Sequence, residues 1–154
     1  MKKIFLIALI CLLPNLVWSK NIESQVVAAV IIGEAGGEGE VGMLAVAGVI
    51  KNRMGQSRSA YEVVTRPSQF AAYSNPVLKK EMPIEDFVAK AALHSRWPYA
   101  MLLAEKISES SIVDITEGAT HFHTASTSPY WSKIFQFKVQ IGNHKFYCKW
   151  QKAN

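Results

Sequence analysis

Two consecutive segments that are apolar on nearly every side constrain the fold of this chain more than any other feature. Residues 22–35 read as one helix, which the glycine pair beginning at Gly36 should end. Residues 41–54 read as a second helix. A helix that is apolar all round belongs inside a domain, so we expect both in the core. Gly42 and Gly48 lower the helix propensity of the second segment and predict that another element packs closely there.

Shorter helices are predicted in the middle of the chain. Ser59 and Glu62 match a capping box, which starts a short helix. Residues 84–95 and 98–110 read as two more helices, the second with a proline at its first position. Residues 68–73 are short and mixed in polarity, so we predict a loop or a short strand there.

The last third of the chain has the pattern of strands. Residues 120–124 predict a short strand, and apolar residues alternate with polar ones over 135–141 and 144–150. Gly142 and Asn143 lie between the last two segments, which is the signal of a β-hairpin. Helices followed by a smaller antiparallel sheet place the chain in the α+β class, mainly helical.

The first 19 residues predict a segment that is separate from the domain. A short basic start is followed by an apolar run over residues 4–13 and by small residues that end at Ser19, the pattern of a secretory signal peptide. The apolar run is too short to span a bilayer comfortably. We therefore predict a signal peptide over 1–19, a single domain over 20–154, and no stable membrane insertion after cleavage.

Charge and cysteine content narrow the possible partners. The chain has 17 Lys and Arg against 12 Asp and Glu, a formal net charge of +5 at pH 7. This mild surplus suits an anionic wall or membrane surface, and no basic block with interleaved aromatics indicates a nucleic-acid partner. Cys148 would be the only cysteine left after cleavage, so no internal disulfide could form. We expect an exported, wall-associated monomer, periplasmic or extracellular.

Glu34 is the most informative residue of the chain. It lies at the end of the first helix, one turn after Val30 and Ile31. Apolar surroundings raise the pKa of a carboxyl, and a raised pKa is what a general acid needs near neutral pH. From position alone, a carboxyl at a helix end that faces solvent is the alternative.

Glu38 is the candidate for a second carboxylate. Two carboxyl groups that flank a glycosidic bond can act as acid and as base or nucleophile, depending on their separation. The alternative is structural, because an acid just before the second helix favours the positive end of that helix.

His121 and His123 alternate around Phe122. On a strand both imidazoles would point to one side, which suits a polar ligand or a metal site. A third metal ligand would have to come from elsewhere, with no recognisable spacing, so we predict neither a metal nor another cofactor. A plain surface strand is the other interpretation.

Several aromatic residues lie in turn-rich segments and not on helical stripes. Phe70, Tyr73, Tyr130 and Trp131 could bury the apolar faces of sugar rings while Gln69 binds their hydroxyls. The alternative is that these rings form the rim of the core.

An ordered set of motifs spans about residues 22–148. It includes the following segments: Ile32-Gly33-Glu34-Ala35-Gly36-Gly37-Glu38, Gly42 to Arg53, Pro67-Ser68-Gln69-Phe70, Gly118-Ala119-Thr120-His121-Phe122, Pro129-Tyr130-Trp131 and Ile141 to Tyr147. Together they resemble the catalytic domain of the spore cortex-lytic enzymes and the wider cell wall hydrolase family. The family often has arginine where Gly36 stands here.

This resemblance implies a lysozyme-like α+β fold with a glycan groove between helices and a small sheet. It implies that Glu34 is the catalytic acid and that peptidoglycan is cut between N-acetylmuramic acid and N-acetylglucosamine, by a lytic transglycosylase or a muramidase. Gln69, Phe70 and residues 121–123 become expected groove residues. Two alternatives stay open: a zinc amidase that uses His121 and His123, and a glycan-binding domain without activity.

Overall fold

The computed structural model describes residues 22–78 and 82–149 of the chain. The expected signal peptide over 1–19 and the end of the second hairpin segment at Trp150 lie outside these residues. Within the described ranges, no helix is long and apolar enough to cross a membrane.

Two helices form the centre of the molecule, as their apolar sequences predict. Helix α1 covers residues 22–35, a 3-10 turn follows at Gly36–Glu38, and helix α2 covers Gly39–Met54. Helix α2 begins two residues earlier than predicted. The core that these helices form with later elements includes the following buried residues: Val26, Ala29, Val30, Ile31, Met43, Val46, Ile50, Leu103 and Ile107.

The two glycines of α2 lie at close contacts, as expected. A Cβ atom at Gly42 would collide with the Cβ of Glu38, and one at Gly48 would lie 2.9 Å from Oδ1 of Asp114. The glycines therefore allow the preceding turn and a later loop to pack against α2.

Helix α3 covers Ala60–Thr65 and begins with the predicted capping box. The backbone N–H of Glu62 donates to the Ser59 hydroxyl at 3.1 Å, and the backbone N–H of Ser59 donates to the Glu62 carboxylate at 2.7 Å. Each side chain thus satisfies a free backbone donor of the first turn.

The prediction of a loop or strand over residues 68–73 is wrong in its second half. A helical turn, α4, covers Ala71–Tyr73 and continues as a π-helical turn over Ser74–Leu78. No side chain caps α4 locally. Its Ala72 N–H instead donates to the carboxylate of Glu34, 38 residues earlier, so a tertiary contact stabilises a turn that the local sequence does not encode.

Helix α5 covers Ile84–Ala92 and helix α6 covers Trp97–Ser108, with Pro98 in its first turn. Both end two or three residues before their predicted ends.

Three antiparallel strands form one sheet in the order β1-β3-β2. Strand β1 covers His121–Thr124, β2 covers Gln136–Ile141 and β3 covers His144–Cys148. The tight turn between β2 and β3 contains Gly142 with a φ of 55°, a conformation that favours glycine. This confirms the predicted hairpin and the α+β class.

The two faces of the sheet differ in their surroundings. The inner face, which carries Phe122, Phe146 and Val139, packs against Ala45 and Val49 of α2. The outer face carries His121, His123, Phe137 and Tyr147. It packs against a 3-10 turn at Tyr130–Lys133.

A register shift interrupts the predicted alternation of β2. Phe137 pairs with Tyr147 while Val139 pairs with Phe146, so the two apolar side chains lie on opposite faces. Phe137 is 51 % exposed as a result.

Candidate active site

Glu34 lies in the last turn of α1, where its side chain is half-buried. Its Oε1 atom accepts a hydrogen bond from the backbone N–H of Ala72 at 2.8 Å. Gly33 allows this approach, because a Cβ atom there would lie 2.6 Å from the Cβ of Ala72. The Gly-Glu pair therefore brings a carboxyl against the first turn of α4.

Burial raises the pKa of the Glu34 carboxyl above its usual 4.5. The Ala72 N–H and the positive charges of His144 and Arg53 oppose this shift without cancelling it. A carboxyl that keeps its proton to higher pH and can release it beside two basic side chains suits a general acid that later acts as a base.

Arg53, at the end of α2, joins three segments around Glu34. Its Nε donates to the carbonyl of Thr120 at 2.6 Å, and its guanidinium also donates to the carbonyl of Gln69 at 3.0 Å. The guanidinium lies 4.7 Å from the centre of the Phe70 ring. Burial lowers the pKa of Arg53 to about 10, against the effect of Glu34.

His144, the first residue of β3, is only 5 % exposed. Its ring lies edge-on to Phe122 at 5.3 Å between centroids, on the inner face of the sheet. Among the described residues, its Nδ1 is the one buried side-chain nitrogen or oxygen without a hydrogen-bond partner. Its charge acts on both Glu34 and Glu38, so it is the histidine that influences the candidate acid.

Both oxygens of Glu38 are occupied by the turn of the β-hairpin. The backbone N–H of Asn143 donates to Oε2 at 3.0 Å, and the Asn143 side-chain amide donates to Oε1 at 3.2 Å. These donors lower the pKa of Glu38. Gly142 leaves room for the contact, since a Cβ atom there would lie 2.7 Å from Oε2. Glu38 thus anchors the residue that precedes His144.

His121 and His123 lie on the outer face, and strand alternation separates them from Phe122 and His144. Burial, together with the positive charges of Arg53 and Lys149, lowers the pKa of His121 to about 4, so its ring is neutral. No three His, Cys, Asp or Glu side chains come together as a metal site anywhere in residues 22–78 and 82–149.

The predicted substrate-contacting residues are distributed over three places. Gln69 is exposed beside the Arg53 contact. Phe70 is only 2 % exposed and belongs to the core, so its ring is not free for the expected contact with substrate. It packs beneath the Arg53 guanidinium instead. Trp131 joins the two histidines of β1 on the outer face, and Tyr130 beside it is 78 % exposed.

At Gly36, where the family often has arginine, the side chains of His94 and Arg96 lie against the backbone. A Cβ atom at Gly36 would lie 3.1 Å from Nε2 of His94, and the Arg96 guanidinium donates to the Gly36 carbonyl at 3.1 Å. A basic side chain from the α5–α6 connection therefore reaches the first motif.

Sequence reasoning did not select Arg53 or His144 as functional residues. They appeared only within two of the longer motif segments, Gly42 to Arg53 and Ile141 to Tyr147. The available signal was a polar residue at the end of a mostly buried helix or at the start of a buried strand. Neither pattern indicates that the residue lies near Glu34.

Comparison with known proteins gives one family and two solved structures. The family model described as Cell Wall Hydrolase matches residues 37–147. This range begins three residues after Glu34. No curated protein sequence gives a significant match.

The first solved structure is the catalytic domain of the germination-specific lytic transglycosylase SleB from Bacillus anthracis. It has 22 % sequence identity and a TM-score of 0.60, over 82 % of this chain and 94 % of that one. The catalytic domain of the Bacillus cereus SleB protein has 23 % identity and a TM-score of 0.55, over 83 % and 91 %. At these identities the likeness shows the lysozyme-like fold alone.

Proposed function

Because the chain belongs to the cell wall hydrolase family, we propose that it cleaves the glycan strands of peptidoglycan, with Glu34 as its catalytic acid. The bond cut lies between N-acetylmuramic acid and N-acetylglucosamine. The similar SleB catalytic domain is described as a lytic transglycosylase, and we assign the same reaction type to this chain.

One observation carries the proposal: Glu34 is a half-buried carboxyl with a raised pKa, bound by backbone donors of α4 and influenced by the charges of Arg53 and His144. Burial favours the protonated form before the reaction. The charges of Arg53 and His144 stabilise the carboxylate that forms once the proton has left.

The reaction has two proton transfers through the same carboxyl. Protonated Glu34 donates to the glycosidic oxygen while the bond from that oxygen to the anomeric carbon of the muramic acid breaks. The resulting Glu34 carboxylate takes the proton of the muramic 6-hydroxyl, and the oxygen of that hydroxyl bonds to the anomeric carbon. The products are a free 4-hydroxyl and a 1,6-anhydro end, and Glu34 regains its proton.

This route needs a single carboxyl, because the nucleophile belongs to the substrate and is already in place. Direct hydrolysis needs a second group to activate water. Glu38 is the leading base for that reaction, yet both its oxygens bind Asn143. The occupied Glu38 therefore favours transglycosylation over a muramidase reaction.

Gln69 is the polar side chain that we assign to the glycan close to Glu34, with Phe122 as the neighbouring apolar surface. Gln69 is exposed, and its carbonyl is held by Arg53. Phe122 is half-buried and contacts His144.

The product end distinguishes the two reactions. Purified sacculi are digested with the protein, and the released fragments are analysed by mass spectrometry with and without borohydride reduction. We expect 1,6-anhydro ends, which lack one water and resist reduction. Reducing ends alone would establish a muramidase. A digest in which no glycosidic bond is cut would contradict the proposal.

The two alternative functions have less support. A zinc amidase would need a third ligand beside His121 and His123, and the described part of the chain groups no such set. A glycan-binding domain without activity would not need a carboxyl with a raised pKa, whereas a general acid does.

We also propose that residues 1–19 are a cleaved secretory signal peptide and that the protein acts at the cell wall. The apolar run and the small residues that end at Ser19 support this. Expression in a bacterium with Sec export, followed by N-terminal sequencing of the exported protein, should give a mature chain that begins at Lys20. Retention of the full chain inside the cell would contradict it.

A further inference from the structure

The sheet and its connections carry lysines without any acidic residue. Residues 121–149 contain four lysines and no Asp or Glu, although the whole chain has 12 acidic residues. The four are Lys133, Lys138, Lys145 and Lys149. The sheet and its connections therefore have a formal net charge of +4.

Three of these lysines lie on the outer face of the sheet or on the segments next to it. Lys145 pairs with His123 across β3 and β1, next to Tyr147. Lys149 lies 5.9 Å from the centre of the Phe135 ring, and Lys133 belongs to the 3-10 turn that packs on this face.

A continuous group of rings lies between these charges. Trp131 contacts the rings of His121, His123, Phe135 and Tyr147, each at 5.4 to 5.5 Å between centroids. The group is fixed internally, because the His123 ring stacks on Tyr147 and its Nε2 lies 3.2 Å from the Tyr147 hydroxyl. Such rings lose little freedom when a ligand binds.

The rings of the group are half-buried or buried, with Tyr147 only 8 % exposed, and solvent reaches the group at its edge. Phe137, Ile134 and Tyr130 are the exposed large apolar residues of this region, at 51 %, 52 % and 78 %. Phe137 contacts Tyr147 and so extends the ring group to its exposed edge. An exposed apolar patch bordered by polar groups marks an interaction surface.

This surface is separate from the Glu34 side of the sheet. The Phe122 and His144 rings lie on the inner face, which packs against α2 and Phe70. Arg53 links the two sides, since its charge acts on both Glu34 and His121.

We propose that the outer face is a second glycan-binding surface, which holds an uncleaved peptidoglycan strand while another segment occupies the Glu34 side. Aromatic rings cover the apolar faces of sugar rings, and lysines suit the carboxylates of muramic-acid peptide stems. The inference rests on the proposed function for the identity of the polymer, but it concerns binding and not cleavage.

Binding is measured by co-sedimentation with purified sacculi, using the full chain with Glu34→Gln to prevent digestion. Adding Phe137→Ser should weaken binding about fivefold, since it removes a half-exposed aromatic contact. Lys149→Gln should weaken binding further and reduce its dependence on salt. Matched controls are Val113→Ser, an exposed apolar residue outside the sheet, and Lys90→Gln on α5; neither should change binding.

Thermal unfolding of every variant shows whether the fold is retained. Unchanged sacculus binding by folded Phe137→Ser and Lys149→Gln variants would overturn the proposal. Tighter binding to single-stranded polynucleotide than to sacculi, lost in the same variants, would also overturn it and assign the surface to nucleic acid.

A second measurement separates this surface from the site of cleavage. With Glu34 intact, Phe137→Ser should slow the digestion of sacculi more than the digestion of short soluble glycan oligomers, which occupy the Glu34 side alone. Equal losses on both substrates would place Phe137 in the cleavage groove and contradict a separate surface. Absence of cleavage by the unmodified protein would contradict the proposed function while leaving the sedimentation result interpretable.

Discussion

The end of α1 and the 3-10 turn that follows it hold two glutamates four residues apart, and the protein treats them in opposite ways. Glu34 is half-buried beside the backbone N–H groups of Ala71 and Ala72, and burial outweighs these donors and raises its pKa. Glu38 accepts two hydrogen bonds from Asn143, and these lower its pKa. Two donors act on each carboxyl, so the difference teaches that burial decides which one can serve as an acid, although the two lie close together in the sequence.

The largest expected effect is that of Glu34→Gln. Removing a general acid typically lowers the rate by about 10²- to 10⁴-fold, and the amide cannot donate the proton. Release of soluble fragments from sacculi measures the rate, and circular dichroism checks the fold. Glu40→Gln, in the first turn of α2, is the matched control and should keep full activity. A Glu34→Gln variant with full activity would end the assignment of the acid.

Arg53→Gln should affect both stability and chemistry. The variant leaves the carbonyls of Thr120 and Gln69 without their present donor, which costs about 2–3 kcal/mol of unfolding free energy. It also removes a positive charge that lowers the Glu34 pKa, so the alkaline limb of the pH–rate profile should move to higher pH. Urea unfolding and rates across pH measure the two effects. Stability equal to that of the unmodified protein would show that the observed contacts contribute little.

His144→Phe should separate these two effects. Because Nδ1 has no partner, an apolar ring of similar shape should leave the melting temperature nearly unchanged. Loss of the charge should still move the alkaline limb upward, in the same direction as for Arg53→Gln. The comparison of melting temperature with pH–rate profile is the test. A profile identical to that of the unmodified protein would mean that His144 does not act on Glu34.

The smallest expected effect concerns stability against pH, and it tests the contrast between the two glutamates directly. A raised folded-state pKa means that the unfolded chain loses its proton first, so Glu34 reduces stability as pH rises above 4.5 and through the raised pKa. Glu38 has a lowered pKa, so its contribution is present above 4.5 and is lost as pH falls through the lowered value.

Melting temperatures of single variants should therefore differ in sign. At about pH 7 we expect Glu34→Gln to melt above the unmodified protein and Glu38→Gln to melt below it. Both differences should shrink as pH falls through the two titrations. Shifts of the same sign at neutral pH would contradict the opposite pKa directions.

The helical half of the fold was predictable because its signals are local. Segments 22–35 and 41–54 are apolar on nearly every side, and Ser59 with Glu62 forms a capping box within four residues. Strand alternation and the Gly142 turn likewise predicted the hairpin. The α4 turn was missed, since its first N–H groups are satisfied by a carboxylate 38 residues away.

The candidate site was predictable only in part. Glu34 stood out because a carboxyl follows an apolar helix, and its role remains a prediction. The expected neighbours were His121 and His123, yet His144 is the histidine whose charge acts on Glu34. Strand alternation predicts which residues share a face but not which face lies towards α1. The register shift in β2 also places Phe137 and Val139 on opposite faces, which alternation does not predict.

The sequence by itself determined the α+β class, the buried helix pair and the presence of an acid at the end of the first helix, because periodicity, caps and turns act over a few residues. Only the tertiary structure decided which groups surround that acid. Arg53, Ala72 and His144 come from three distant elements, and a pKa depends on the burial and charges that such elements create together.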